Sequence, residues 1–171
     1  YEKFSGRAGP DPAKASPAAL DDGLQQIVAI EGPMVVKRAC KLYLEGCGIR
    51  TLTKPLGDKM KRAMRRLERK NKIIAENEAA TGEYFERIVR KPGTPKTRIR
   101  ERGPRDLYDI PPREVLHVAL RLAEEKNLKI RSDEHYRAVI EFYKQKLLTE
   151  KSRQAIRSVL VLYEKSRLRL N

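Results

Sequence analysis

Along most of this chain apolar residues recur at spacings of three and four, a pattern that predicts six helices in two groups of three. From Ala18 to Ile30, Leu20, Leu24, Ile27 and Val28 share one face, and Glu31-Gly32-Pro33 closes the first helix. Pro33 suits the first turn of a second helix over Met34–Glu45, whose Val35, Val36, Ala39, Cys40 and Tyr43 lie beneath exposed Lys37, Arg38 and Lys41. Gly46 and Gly48 permit a turn with positive φ, and Thr53 can cap a third helix running to Lys72, although Gly57 weakens its first turn.

The pattern then changes. Ile73-Ile74-Ala75, a polar stretch containing Gly82, and Tyr84–Val89 ending before Pro92-Gly93 read as two short strands around a turn. Glu76, Glu78, Glu83 and Glu86 make that hairpin acidic, which fits a solvated tip better than one touching phosphate. Three helices followed by a hairpin predict a winged helix-turn-helix over 18–92 with the third helix in the recognition position.

The stretch 93–108 is broken by Pro and Gly and strongly basic, and reads as a linker. A second unit over 109–171 opens at Ile110-Pro111-Pro112, where Pro stands at a helix start and Val115, Val118, Ala119, Leu122 and Ala123 form an inner stripe widened by Leu116 and Leu120. Ser132 can cap a fifth helix burying Tyr136, Val139, Ile140 and Tyr143, and Thr149 a sixth carrying Ala155, Ile156, Val159, Leu160 and Tyr163. Aligning Leu52-Thr53 on Leu148-Thr149 sets Met60, Ala63, Met64 and Leu67 against Ile156, Val159, Leu160 and Tyr163, so the second unit reads as a degenerate repeat of the first. The start, 1–17, is rich in Gly, Pro, Ala and Lys without lasting periodicity and reads as a linker or surface arm. The fold class expected is mainly α with a small β-hairpin.

Charge sharpens the picture at one helix. Opposite the apolar stripe Leu56, Met60, Ala63, Met64 and Leu67 stand Lys59, Arg62, Arg65, Arg66 and Arg69, and Lys54–Lys72 carries nine Lys/Arg against Asp58 and Glu68. Ion pairs along the helix cannot neutralise that excess, so an external polyanion is expected. A helix about 10–12 Å wide fits the major groove of B-form DNA. The binding set expected is Lys54, Lys59, Lys61, Arg62, Arg65, Arg66 and Arg69 on the helix, with Arg98, Arg100 and Arg102 on the phosphate backbone. The repeat alignment replaces Lys59, Arg62, Arg65 and Arg66 by Ala155, Ser158, Val161 and Leu162, so the second unit is expected to pack or self-associate instead of binding DNA. Structured RNA shares the charge argument but lacks exposed aromatics for stacking unpaired bases. Double-stranded DNA is the expected partner, with protein interaction the alternative.

Over its 171 residues the net charge is +15, in keeping with that partner. No apolar run approaches the ~20 residues that would span a bilayer, and two cysteines are too few for a disulfide scaffold, so a cytoplasmic, reducing setting is expected. A start at Tyr1 in place of Met reads as part of a longer protein. Enzymatic chemistry finds no support: GxxxxGK[ST] is absent, Cys40, Cys47, His117 and His135 show neither CxxC nor HxxxH spacing, and Asp106 and Asp109 lack the companions a nuclease needs. Cys40 falls on the apolar stripe and reads as a core thiol; His117 and His135 read as helix-surface residues. No cofactor, metal or catalytic residue is expected.

The segment LQQIVAIEGPMVVKRACKLYLEGCGIRTLTKPLGDKMKRAMRRLERKNKI resembles a bacterial domain of unknown function found near the C-terminal ends of large superfamily 1 helicase-like proteins. The shared features are a helix ending in Glu31-Gly32-Pro33, a second ending near Gly48 and a basic third. IPPREVLHVALRLAEE is similar to the start of the helix-turn-helix-like unit that follows such domains. The chain departs from that pattern in its long loop from Gly46 to Thr53 and its acidic wing. The resemblance implies a DNA-processing or defence-system parent.

Overall fold

The computed structural model describes residues 2–78 and 82–168, with side chains in the last helix as far as Glu164. It is mainly helical with a small three-stranded antiparallel sheet. The chain divides into two compact units, one of Glu2–Asn77 with Thr81–Lys96, the other taking in Glu78 and the residues from Thr97 onward.

In the first unit, α1 (Pro17–Glu31) starts where Ser16 Oγ accepts from the Ala19 amide at 3.2 Å, with Pro17 in the first turn where its missing N–H costs nothing. Then come β1 (Met34–Val35), α2 (Val36–Gly46), α3 (Lys54–Arg69), β2 (Ile74–Glu76) and β3 (Ile88–Arg90). The core is built from the predicted stripes: Leu20, Leu24, Ile27 and Val28 of α1, Val36, Ala39, Cys40 and Tyr43 of α2, and Met60, Ala63, Met64 and Leu67 of α3. Gly48 has φ +73 and turns the chain out of α2. Thr53 occupies the cap position of α3 but makes no side-chain capping bond.

The expected two-stranded hairpin is extended by a third strand. Met34 and Val35 pair with Val89 and Ile88, giving the order β1-β3-β2, while Ala75 and Glu76 face the same two residues from the other side. Two residues are too few to display a period, so β1 was absorbed into the second helix by sequence reading. Tyr84–Glu86 is a turn of 3-10 helix ahead of β3.

The N-terminal arm is likewise more than a linker. Phe4, Ala8 and Ala15 are buried in the first unit's core, the Phe4 amide donates to Glu31 Oε1 at 2.9 Å, and Tyr43 OH donates to the Pro10 carbonyl at 3.0 Å. Two glycines make room for it. A Cβ on Gly23 would come within 2.5 Å of the Ala8 carbonyl oxygen, and one on Gly46 within 2.7 Å of that of Gly6. Glu31, itself buried, also accepts from Arg38 Nε at 2.9 Å, so one carboxylate ties the arm, α1 and α2 together.

The second unit consists of α4 (Pro112–Glu125), α5 (Asp133–Phe142) and α6 (Glu150–Leu168), preceded by a 3-10 turn at Leu107–Asp109. Ser132 Oγ caps α5 by accepting from His135 N, and Thr149 caps α6 reciprocally with Ser152. Val118, Val139, Tyr143, Ile156 and Leu160 form its core, against which Ala155 and Val159 pack. His135, expected on a helix surface, is fully buried: its Nδ1 accepts from the Arg131 amide at 3.1 Å, which leaves Nε2–H to donate to the Ala119 carbonyl at 2.8 Å. The imidazole joins α5 to α4, and both ring nitrogens are used.

Candidate functional site

A 16-residue helix is about 24 Å long, and its outward face depends on which residues the core claims. With Met60, Ala63, Met64 and Leu67 inward, the 100° step per residue sets Lys54, Arg62, Arg65 and Arg69 on the opposite side, and all four are exposed. Among the described residues no carboxylate forms an ion pair with any of them, including Asp58 on the same face. Arg62, Arg65, Arg66 and Arg69, with Glu68, line an open depression.

The α1-facing edge of the helix behaves differently. Lys59 Nζ donates to the Ala13 and Ala15 carbonyls at 3.0 and 3.1 Å. Arg66 donates to Asp21 through Nη2 at 2.7 Å and Nε at 3.1 Å, and Lys70 reaches the same carboxylate at 3.3 Å. Asp21 is 6% exposed at its side chain, so these are anchored contacts within the first unit. Three cations of the expected excess are thus tied down by α1 and the arm, although Asp21 supplies only one negative charge.

The other edge carries a group that sequence reading did not assemble. Lys61 Nζ lies 5.7 Å from the centre of the Tyr84 ring, and the guanidinium carbons of Arg65 and Arg87 each lie 5.3 Å from it. Arg87 comes from the turn into β3, so helix and hairpin contribute to one cluster. Burial pushes the Tyr84 hydroxyl up to about 12; nearby Glu68 pushes the same way, while Arg87 and Arg65 pull it down. That hydroxyl is buried, with no hydrogen-bond partner among the described residues. The hairpin acids are also engaged in part: Glu76 pairs with Arg90 at 3.3 Å and Lys96 at 3.6 Å, and Glu78, grouped with the second unit, accepts from the Arg113 amide at 3.2 Å. Glu76 and Glu78 are therefore engaged within the fold, while Glu83 and Glu86 are exposed as a solvated hairpin would have them.

Of the backbone-contact candidates, Arg98 is exposed, but Arg100 and Arg102 serve the second unit internally. Arg100 Nη2 bonds Glu114 at 3.1 Å, as does Arg105, through Nη2 at 3.0 Å; all three side chains are nearly inaccessible. Burial lowers the Arg100 guanidinium from its ordinary value, with Glu114 opposing that shift. Arg102 Nε donates to the Tyr143 carbonyl at 3.1 Å and its Nη1 to Arg105 O at 3.2 Å. A fully buried Glu114 requires such partners, and the segment expected to be a linker supplies them. Arg100 and Arg102 are accordingly corrected from phosphate contacts to structural residues.

Among the described residues no group of three His, Cys, Asp or Glu side chains is placed to hold a metal ion, and no helix is long and apolar enough to cross a membrane. Cys40 is buried, its thiol pushed up to about 12 by burial, and Cys47 is half-buried beside the Gly9 and Pro10 carbonyls. In comparisons with known proteins the chain has no significant match to a family model, a curated protein or a solved structure.

Proposed function

We propose that this chain is a non-catalytic double-stranded DNA-binding module whose first unit is a winged helix-turn-helix with α3 as the recognition helix. The element order α1-β1-α2-α3-β2-β3, with β1 joined to the hairpin, supports the winged reading. One observation carries the functional reading: Lys54, Arg62, Arg65 and Arg69 face outward on a single helix without an ion-pair partner among the described residues, while Lys59, Arg66 and Lys70 on its edge are bonded within the fold. A partner must supply the negative charge, and a rigid helix bearing it suits a major groove. Guanidinium and ammonium groups dominate the face, so phosphate contacts outweigh base readout and sequence preference is weak. A DNA-processing or defence-system parent protein, which the resemblance of residues 24–73 implies, and a cytoplasmic setting are part of this proposal.

The test is a titration of the chain against duplex DNA, single-stranded DNA and duplex RNA at two salt concentrations, repeated with Glu at Arg62, Arg65 and Arg69. Duplex DNA should bind best at low salt, and the triple variant should lose binding while retaining its thermal transition, since surface changes usually alter stability by only about ±0.5 kcal/mol. Preference for RNA, or undiminished binding by the folded variant, would overturn the reading. In the latter case the exposed face is merely solvated, and a protein-interaction role for the module takes its place.

A further inference from the structure

We infer that Lys61, Arg65 and Arg87, gathered on Tyr84, form a clamp for one backbone phosphate that joins α3 to the base of the hairpin; this rests on the DNA-binding reading above. The three positive groups lie 5.3–5.7 Å from one ring centre. No two can therefore be farther apart than about 11 Å, close to the ~10 Å Debye length at 0.1 M salt, so their mutual repulsion is only partly screened. Among the described residues none of the three is paired with a carboxylate. The ring offsets part of that repulsion through its negative face. A phosphate entering among them neutralises the rest, and its oxygens accept from the guanidinium forks of Arg65 and Arg87.

The position of Arg87 makes the inference specific. The exposed hairpin acids Glu83 and Glu86 speak against contact with DNA there, yet Arg87, immediately before β3, is held beside α3 through Tyr84. Tyr84 is 4% exposed and packs in the first unit's core, so the platform under the clamp is fixed. Glu68 is the nearby carboxylate, on the same edge of α3 as Lys61, and it opposes an incoming anion.

The experiment measures binding of the full chain to a labelled duplex by anisotropy across salt concentrations, for the parent, Arg87→Gln, Arg87→Lys, Glu68→Gln and Arg69→Gln. The expected result is that Arg87→Gln weakens binding by about tenfold and makes the slope of log K against log salt shallower by about 0.9, the loss of one phosphate contact. Arg87→Lys should restore the slope but not the whole affinity, because an ammonium keeps the charge without the fork. Glu68→Gln should tighten binding. If Arg69→Gln lowers the slope and Arg87→Gln, with an unchanged melting temperature, does not, the clamp is overturned while DNA binding stands. If neither changes the slope, both readings fall. Should Arg87→Gln lower the melting temperature, Glu68→Gln decides: unchanged or weaker binding then overturns the clamp.

Discussion

Arg66 and Arg69 stand three residues apart on one basic helix, and the fold gives them opposite duties. Replacing Arg66 by Gln removes the 2.7 and 3.1 Å bonds to Asp21, leaving that nearly buried carboxylate with Lys70 at 3.3 Å. Charge-assisted hydrogen bonds contribute about 1.5–3 kcal/mol; with Lys70 still present, the cost should fall near the lower end, about 1–2 kcal/mol. For a unit of this size that corresponds to a melting temperature lower by about 4–16 °C. Replacing Arg69 by Gln removes an exposed side chain without an ion-pair partner among the described residues, and stability should stay within about 0.5 kcal/mol. DNA binding reverses the order. Arg69→Gln should reduce the salt slope by about 0.9, whereas Arg66→Gln should leave it nearly unchanged at a temperature where both variants are folded. Calorimetry and anisotropy on the same samples provide the assay. A variant at Arg66 that melts like the parent and loses as much slope as Arg69→Gln would refute the division between anchored and presented cations.

Cys40 supplies a pH prediction. Its thiol is held neutral to about pH 12 when folded, against an ordinary 9.0, so the stability linked to it is fully present below pH 9 and is lost as pH rises through that window. Urea unfolding between pH 9.5 and 10.5 should show the parent losing about 1 kcal/mol more than Cys40→Ala, close to the 1.36 kcal/mol that one ionising group contributes per pH unit. Gly23→Ala, ordinarily worth up to about 1 kcal/mol of helix stability, should instead destabilise by about 1–3 kcal/mol. The new methyl meets the Ala8 carbonyl and the Tyr43 ring at 2.5 Å, and trypsin should cut faster at Arg7 and Lys14 as the arm lifts.

The helices were legible because burial imposes a 3.6-residue period: every inward residue expected on α3 except Leu56 is in the core, and Leu56 packs at its margin. Ser132 and Thr149 were legible as caps for a local reason, since a cap and its amide are three residues apart. What the sequence conceals is distance. Asp21 meets Arg66 across 45 positions, although Lys59, Arg66 and Lys70 did share a clue, spaced by seven and four along the edge of the apolar stripe. Arg87 looked like one residue of an acidic hairpin, and only the fold brings it to Tyr84. The arm was illegible for another reason: it is held by backbone carbonyls and by the absence of side chains at Gly23 and Gly46, neither of which leaves a periodic trace.

The way that arm is fastened also determines how the first unit responds to mechanical load. Its attachments lie in series along the chain, with the Phe4 amide on Glu31, Pro10 on Tyr43 and Ala13 and Ala15 on Lys59, so tension applied at the N-terminus reaches them one after another, like the teeth of a zip. Such peeling breaks few bonds at a time and yields at low force. The last teeth are held by α3 itself, so pulling the arm free would release Lys59 to the basic face.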